Sequence, residues 1–124
     1  MKKLLLGCLF LFGISMAVPQ DKAKEAIEKY DKVVVLFMKK NCPYSLYLRD
    51  VMDKVFPHYR SNNINYVVVE ISDDPDFYER TYNFGSVPTA FYYKNGQLQA
   101  RHDSGNKRMT AGEIQGYVKR AYGV

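Results

Sequence analysis

Cysteine and histidine are scarce in this chain and tryptophan is absent. Among 124 residues there are two cysteines, Cys8 and Cys42, and two histidines, His58 and His102. So few cysteines exclude a disulfide-stapled scaffold and a cysteine-rich zinc module. Neither histidine has a ligand partner at useful spacing, so no metal site is expected. Asp73, Asp74 and Asp76 lack the spacing of a calcium loop and read as helix capping. Charge of one sign is not concentrated anywhere: 18 Lys and Arg are interleaved with 13 Asp and Glu, for a formal net charge of +5. That leaves no basic stripe of the kind nucleic-acid binding needs. Repeats, low-complexity tracts and internal linkers are missing too, and no motif asks for a cofactor. The length suits one domain, since about 100–150 residues is the commonest domain size.

The one long apolar run stands at the N-terminus. "MKK" is a positive start, "LLLGCLFLFGI" an apolar stretch, and "SMA" places small residues ahead of Val18. This pattern is expected to be a cleaved signal peptide, residues 1–17, leaving a mature domain of residues 18–124 in the periplasm. The run is shorter than the roughly 20 residues of a bilayer span, so membrane association is expected only where the segment is retained. "LLGC" hints at a lipoprotein box ending at Cys8, but too few apolar residues precede it. Cleavage removes Lys2, Lys3 and Cys8, and Cys42 becomes the single thiol of an exported protein. Such a thiol is a reactive nucleophile or a site of intermolecular pairing. The plain alternative is a small core residue, because cysteine is often buried.

Residues 21–30 read as a short helix with Ala23, Ala26, Ile27 and Tyr30 on one face. "KVVVLFM" is β-branched and aromatic without alternation, which predicts a central strand buried on both faces. Leu46, Tyr47, Val51 and Val55 recur at helical spacing after Pro43, and Pro57 is expected to end that helix. Residues 64–71, "INYVVVEI", predict a second buried strand. A helix then follows, capped by Asp73 or Asp74, with Pro75 in its first turn and Gly85 past its end. Asn95-Gly96 between two strand-like segments predicts a hairpin with a type I′ turn. Thr110 and Glu113 predict a capping box for a last helix whose inward face is Ile114, Tyr117, Val118 and Tyr122. "SGNKRM", residues 104–109, reads as a loop, with a partner contact as its functional alternative. The order predicts an α/β fold of three layers, a central mixed sheet with helices on both faces. Cys42 then lies at the C-terminal end of a central strand, where α/β proteins keep their sites.

"VVVLFMKKNCPYS" and "FGSVPTAFYYKNGQL" together resemble the thioredoxin superfamily, over essentially all of residues 18–124. The first matches that family's strand, loop and redox helix. The second matches its proline loop and hairpin, with Val87-Pro88-Thr89 at the cis-proline motif. Little chain precedes Cys42, so the family's first edge strand is not counted on. The resemblance implies Cys42 as nucleophile and a substrate groove shaped by Tyr44, Val87, Pro88 and Thr89. A cysteine at a helix N-terminus faces unpaired N–H groups and the positive end of the dipole, which favours the thiolate. Pro43 suits the first helical position, and Lys39 and Lys40 are the cations expected to help.

Two departures from the family pattern bear on function. Ser45 stands where a resolving cysteine would be, and Leu36 where thioredoxins carry a buried acid. A dithiol site attacks with one sulfur and releases its substrate with the other; a single thiol stops at the mixed disulfide until an outside thiol arrives. The expectation is an exported monothiol exchange protein, an isomerase or donor-driven reductase, with Ser45 stabilising the Cys42 thiolate. Its partners would be exported proteins bearing cysteines or disulfides, and an external thiol donor. "KKNCPYS" also resembles the glutaredoxin site, in which a lysine at the position of Lys39 meets a glutathione carboxylate. The Gly-Gly and Asp elements that glutaredoxins place after their cis-proline are not visible, however. The alternative from another class is a redox-inactive binding or chaperone module of the same fold.

Overall fold

Strand β1, Lys32–Met38, lies at the centre of the architecture, with Val33 through Met38 all buried. Its side chains alternate between two faces, so one strand feeds two cores. Val34, Leu36 and Met38 pack with helix α2, Pro43–Val55, and helix α4, Ala111–Tyr122. Val33, Val35 and Phe37 pack with helix α1, Lys22–Lys29, and with Tyr78 of helix α3, Pro75–Tyr82. Full burial of each such side chain contributes about 1.5–3 kcal/mol. The computed structural model describes residues 20–104 and 106–124. The expected signal peptide, residues 1–17, lies outside the described residues.

The sheet has four strands in the order β2-β1-β3-β4. Strand β2, Asn65–Glu70, runs parallel to β1; β3, Thr89–Lys94, runs antiparallel to it and pairs with β4, Gln97–Asp103. This is the expected α/β arrangement, a mixed sheet between helices. Among the described residues no strand precedes β1, so β2 is an edge. That corrects the expectation of a second strand buried on both sides: in β2 Val69 is buried and its neighbours are half-buried. An apolar run looks the same at a sheet's edge as at its centre.

Local chemistry accounts for most boundaries. Asp21 caps α1 by accepting from the Lys24 amide at 2.9 Å. Asn95 and Gly96 both take positive φ, 52° and 78°, as a type I′ turn requires. The Thr110–Glu113 capping box opens α4. Three expectations need correcting. The inward face of α2 is Ser45, Leu48, Met52 and Val55, whereas Leu46 and Tyr47 are 48% and 37% exposed. Pro57 does not stop the coil: the α-helix ends at Val55 and a 3-10 helix, Phe56–Asn62, continues with Pro57 in its first turn, where no N–H is needed. Asn83, not Gly85, turns the chain after α3, at φ 58°. Asp74 occupies the N-cap of α3 but makes no side-chain capping bond.

The tyrosine-rich composition also finds its use. Phe37 sits among Tyr78, Tyr82, Phe84 and Phe91, with ring centroids 4.9–5.9 Å away. Tyrosine fills the same space as phenylalanine and ties down a distant backbone with its hydroxyl. Tyr78 donates to the Gln20 carbonyl, Tyr82 to the Asp21 carboxylate, and Tyr122 to the carbonyls of Tyr93 and Val33. Among the described residues no helix is long and apolar enough to cross a membrane.

Candidate thiol site

Three residues separate the end of β1 from Cys42, and a tight turn closes them. The Cys42 amide donates to the Lys39 carbonyl at 3.1 Å, and the Cys42 carbonyl accepts from Leu46 at 3.0 Å to start α2. Cys42 is thus the N-cap of α2, in extended backbone conformation, with Pro43 at the first helical position. The cysteine is half-buried and free. It is not a core residue.

Ser45 is completely buried beneath it. Its Oγ accepts from the Lys39 amide at 3.3 Å, and its hydroxyl proton serves the Cys42 sulfur. Burial pushes the thiol up. The Ser45 hydroxyl, the Ser45 and Tyr44 amides and the Lys39 charge together more than offset it, holding the Cys42 thiol below an ordinary cysteine. The orphan amides of a helix N-terminus here bond the group that needs them.

The two lysines part ways. Lys39 acts on the thiol by charge while its Nζ stands 3.8 Å from the Glu79 carboxylate. Lys40, also expected beside the thiolate, uses its amide to tie the loop to Glu70 and Ser72, at 3.2 and 3.4 Å. That loop is therefore fastened to the end of β2.

The register Phe37↔Thr89 puts the start of β3 beside the end of β1, so the Cys42 turn and the Pro88 loop leave the same end of the sheet. The Val87–Pro88 peptide bond is cis. Val87 is half-buried and packs on the Phe37 side of the sheet. Thr89, expected in the substrate groove, has a wholly buried side chain whose hydroxyl donates to the Ser86 carbonyl at 2.6 Å and to Asp103 at 3.2 Å. It braces the loop from inside. Tyr44 is half-buried in the first turn of α2, and Pro43 is exposed.

One contact has no counterpart in the sequence pattern. Ser104 donates to the Pro88 carbonyl through both its amide, at 3.2 Å, and its hydroxyl, at 3.0 Å. Ser104 is buried, as is Met109. Arg108 lies over the Tyr47 ring of α2, 5.3 Å from its centroid. Among the described residues no group of three or more His, Cys, Asp or Glu is placed to hold a metal ion.

The family model for Glutaredoxin matches residues 34–97, which run from β1 through the Cys42 turn and the Val87–Pro88 bond to the hairpin. The chain belongs to the glutaredoxin family. Its fold is that of the wider thioredoxin/glutaredoxin superfamily, as solved structures also show. Mitochondrial thioredoxin 3 of Saccharomyces cerevisiae, in oxidized form, is 19% identical with a TM-score of 0.64, covering 79% of this chain and 86% of that one. The oxidised thioredoxin of Plasmodium falciparum is 19% identical with a TM-score of 0.65, covering 83% and 93%. At such identities the likeness concerns the fold. No curated protein matches the chain. The glutaredoxin-family match spans the lysine, cysteine and proline of the site, while the family's Gly-Gly and Asp elements remain absent from this sequence.

Proposed function

We propose that this glutaredoxin-family chain is an exported monothiol thiol–disulfide exchange protein that works through Cys42. The observation that carries this reading is the half-exposed thiol at the N-terminus of α2, held low by the Ser45 hydroxyl, two amides and Lys39. The Cys42 thiolate attacks one sulfur of a client disulfide. A mixed disulfide forms, and the client's other sulfur leaves as a thiolate. With Ser45 in place of a second cysteine, resolution comes from outside. Attack by the client's own thiolate on the client sulfur of the adduct regenerates Cys42 and isomerises the client. Attack by an external thiol on that sulfur also frees Cys42 and transfers the adduct to the donor. Membership in the glutaredoxin family favours a low-molecular-weight thiol of the glutathione type as that donor. Export to the periplasm rests on the signal-like residues 1–17.

The test is the pH dependence of Cys42 alkylation in the folded chain, against an unfolded control. A midpoint clearly below the free-thiol value of about 8.5 supports the reading. No labelling until the protein unfolds would overturn it and leave a binding module of the same fold.

A further inference from the structure

We propose that the cleft between α2 and α4 extends the substrate groove, taking an apolar side chain of the client while Arg108 pairs with an acidic residue nearer the client cysteine. This rests on the thiol–disulfide reading above. The cleft has a volume of about 380 Å³; its apolar walls are Tyr47, Val51 and Val55 of α2 and Ala111 of α4, and its polar lining includes the Asp50–Lys54 pair. Pockets of roughly 300–1,000 Å³ are the usual size of a binding site.

Tyr47 joins the cleft to the thiol. It lines the cleft wall and lies on the same helix as Cys42, and both it and Leu46 are large side chains left substantially uncovered. Ser104 and Arg108 link the Pro88 loop to Tyr47 in the cleft wall. Ser104 is bonded to the Pro88 carbonyl, Met109 is buried in the core, and Arg108 between them reaches across to Tyr47. Arg108, just before the buried Met109, therefore sits on the ring of Tyr47, which lines the cleft.

Charge singles out the occupant. Lys107 is engaged with Glu113 at 2.6 Å, and in the cleft lining Lys54 pairs with Asp50 at 3.1 Å. Arg108 has no carboxylate in ion-pair range among the described residues. An unpaired guanidinium on an aromatic face is complementary to a carboxylate and binds it bidentately. Tyr47 comes five residues after Cys42, about 7–8 Å along the helix axis and roughly 140° around it, so the path over the surface is on the order of 10–13 Å. An extended peptide spans that distance in about three to four residues. The client therefore carries its acidic residue about three or four positions from its cysteine, and an apolar residue just beyond.

The experiment uses fluorescent peptides whose cysteine is replaced by serine, so that binding is read without covalent chemistry. One set carries glutamate and phenylalanine at those positions, on either side of the serine; the other has lysine for glutamate. The full chain is expected to bind one glutamate peptide at least about fivefold more tightly than its lysine partner, the scale of an exposed ion pair and its reversal. Arg108→Glu is expected to reverse the order. Equal affinities in the native chain, or a preference that survives Arg108→Glu, overturn the proposal. Reaction of Cys42 with neutral 2-hydroxyethyl disulfide is measured separately. Its absence would remove the exchange reading, while the peptide affinities would still decide the cleft.

Discussion

The backbone amide of Lys39 donates to the Oγ of Ser45, 3.3 Å away, across the turn that carries Cys42. The same side chain is among the groups that lower the Cys42 thiol. Under the proposed reading, Ser45 supports the Cys42 thiolate rather than resolving its adduct. Ser45→Ala removes that hydroxyl and leaves the Lys39 amide short of a partner. The Cys42 thiol is expected to titrate higher and to alkylate more slowly at pH 7. An unchanged alkylation profile would show that the two amides and Lys39 suffice.

Ser45→Cys tests the other half of the argument. The new thiol would sit where the Ser45 hydroxyl already contacts the Cys42 sulfur. It would attack the Cys42 sulfur of a mixed disulfide, release the client thiol and leave an internal disulfide. Adducts that persist in the native chain are expected to clear in the variant with no added thiol, one protein dithiol being oxidised per client disulfide reduced. Mass spectrometry of the trapped adducts reads the outcome. Adducts of equal lifetime in both proteins would mean that the monothiol limit lies elsewhere.

His102 gives the domain a distinct acid limb. The ring is buried against Tyr92 and Tyr117, and its Nε2 is 3.1 Å from the Tyr92 hydroxyl, while Nδ1 has no partner among the described residues. Burial pulls it down to about 4, against the opposing pull of Asp103 and Glu113. The unfolded chain binds this proton near pH 6.5 and the folded one only near 4. The neutral-histidine contribution is thus full above pH 6.5 and is lost as pH falls from there to about 4. The whole step is on the order of 3 kcal/mol. Urea unfolding at pH 7 and at pH 4.5 measures it. His102→Gln, which keeps a partner for Tyr92, is expected to flatten that limb. An equally steep limb in the variant would assign the loss to other groups.

Where the sequence could be read, local chemistry sufficed. Asn95-Gly96, the Thr110–Glu113 box and Pro43 behind Cys42 each act within a few residues, and each appears in the fold as expected. The features that escaped are set by partners distant in the chain. Strand β2 has the same apolar composition whether a strand flanks it or not. Ser45 looks polar and yet faces inward, which displaced the expected inner face of α2 onto Leu46 and Tyr47. Ser104 carries no mark of its bond to Pro88, because that contact is made through the sheet and not through sequence spacing.

The Lys39–Glu79 pair tunes the thiol from the side. Glu79 stands 3.8 Å from the Lys39 ammonium, and Lys39 is the charge that favours the Cys42 thiolate. A carboxylate in that position draws the ammonium towards α3 and partly cancels its field at the sulfur. Glu79→Gln is expected to lower the Cys42 titration further, and Lys39→Met to raise it. Both side chains are partly exposed, so the shifts are modest and screened by salt, whose Debye length is about 8 Å at physiological ionic strength. Alkylation profiles at low and high salt should converge for these two variants. The Ser45→Ala shift should persist at high salt, since a buried hydrogen bond is barely screened. A Glu79→Gln profile that moves upward would contradict this account, because it would mean the pair holds Lys39 in place for the thiol.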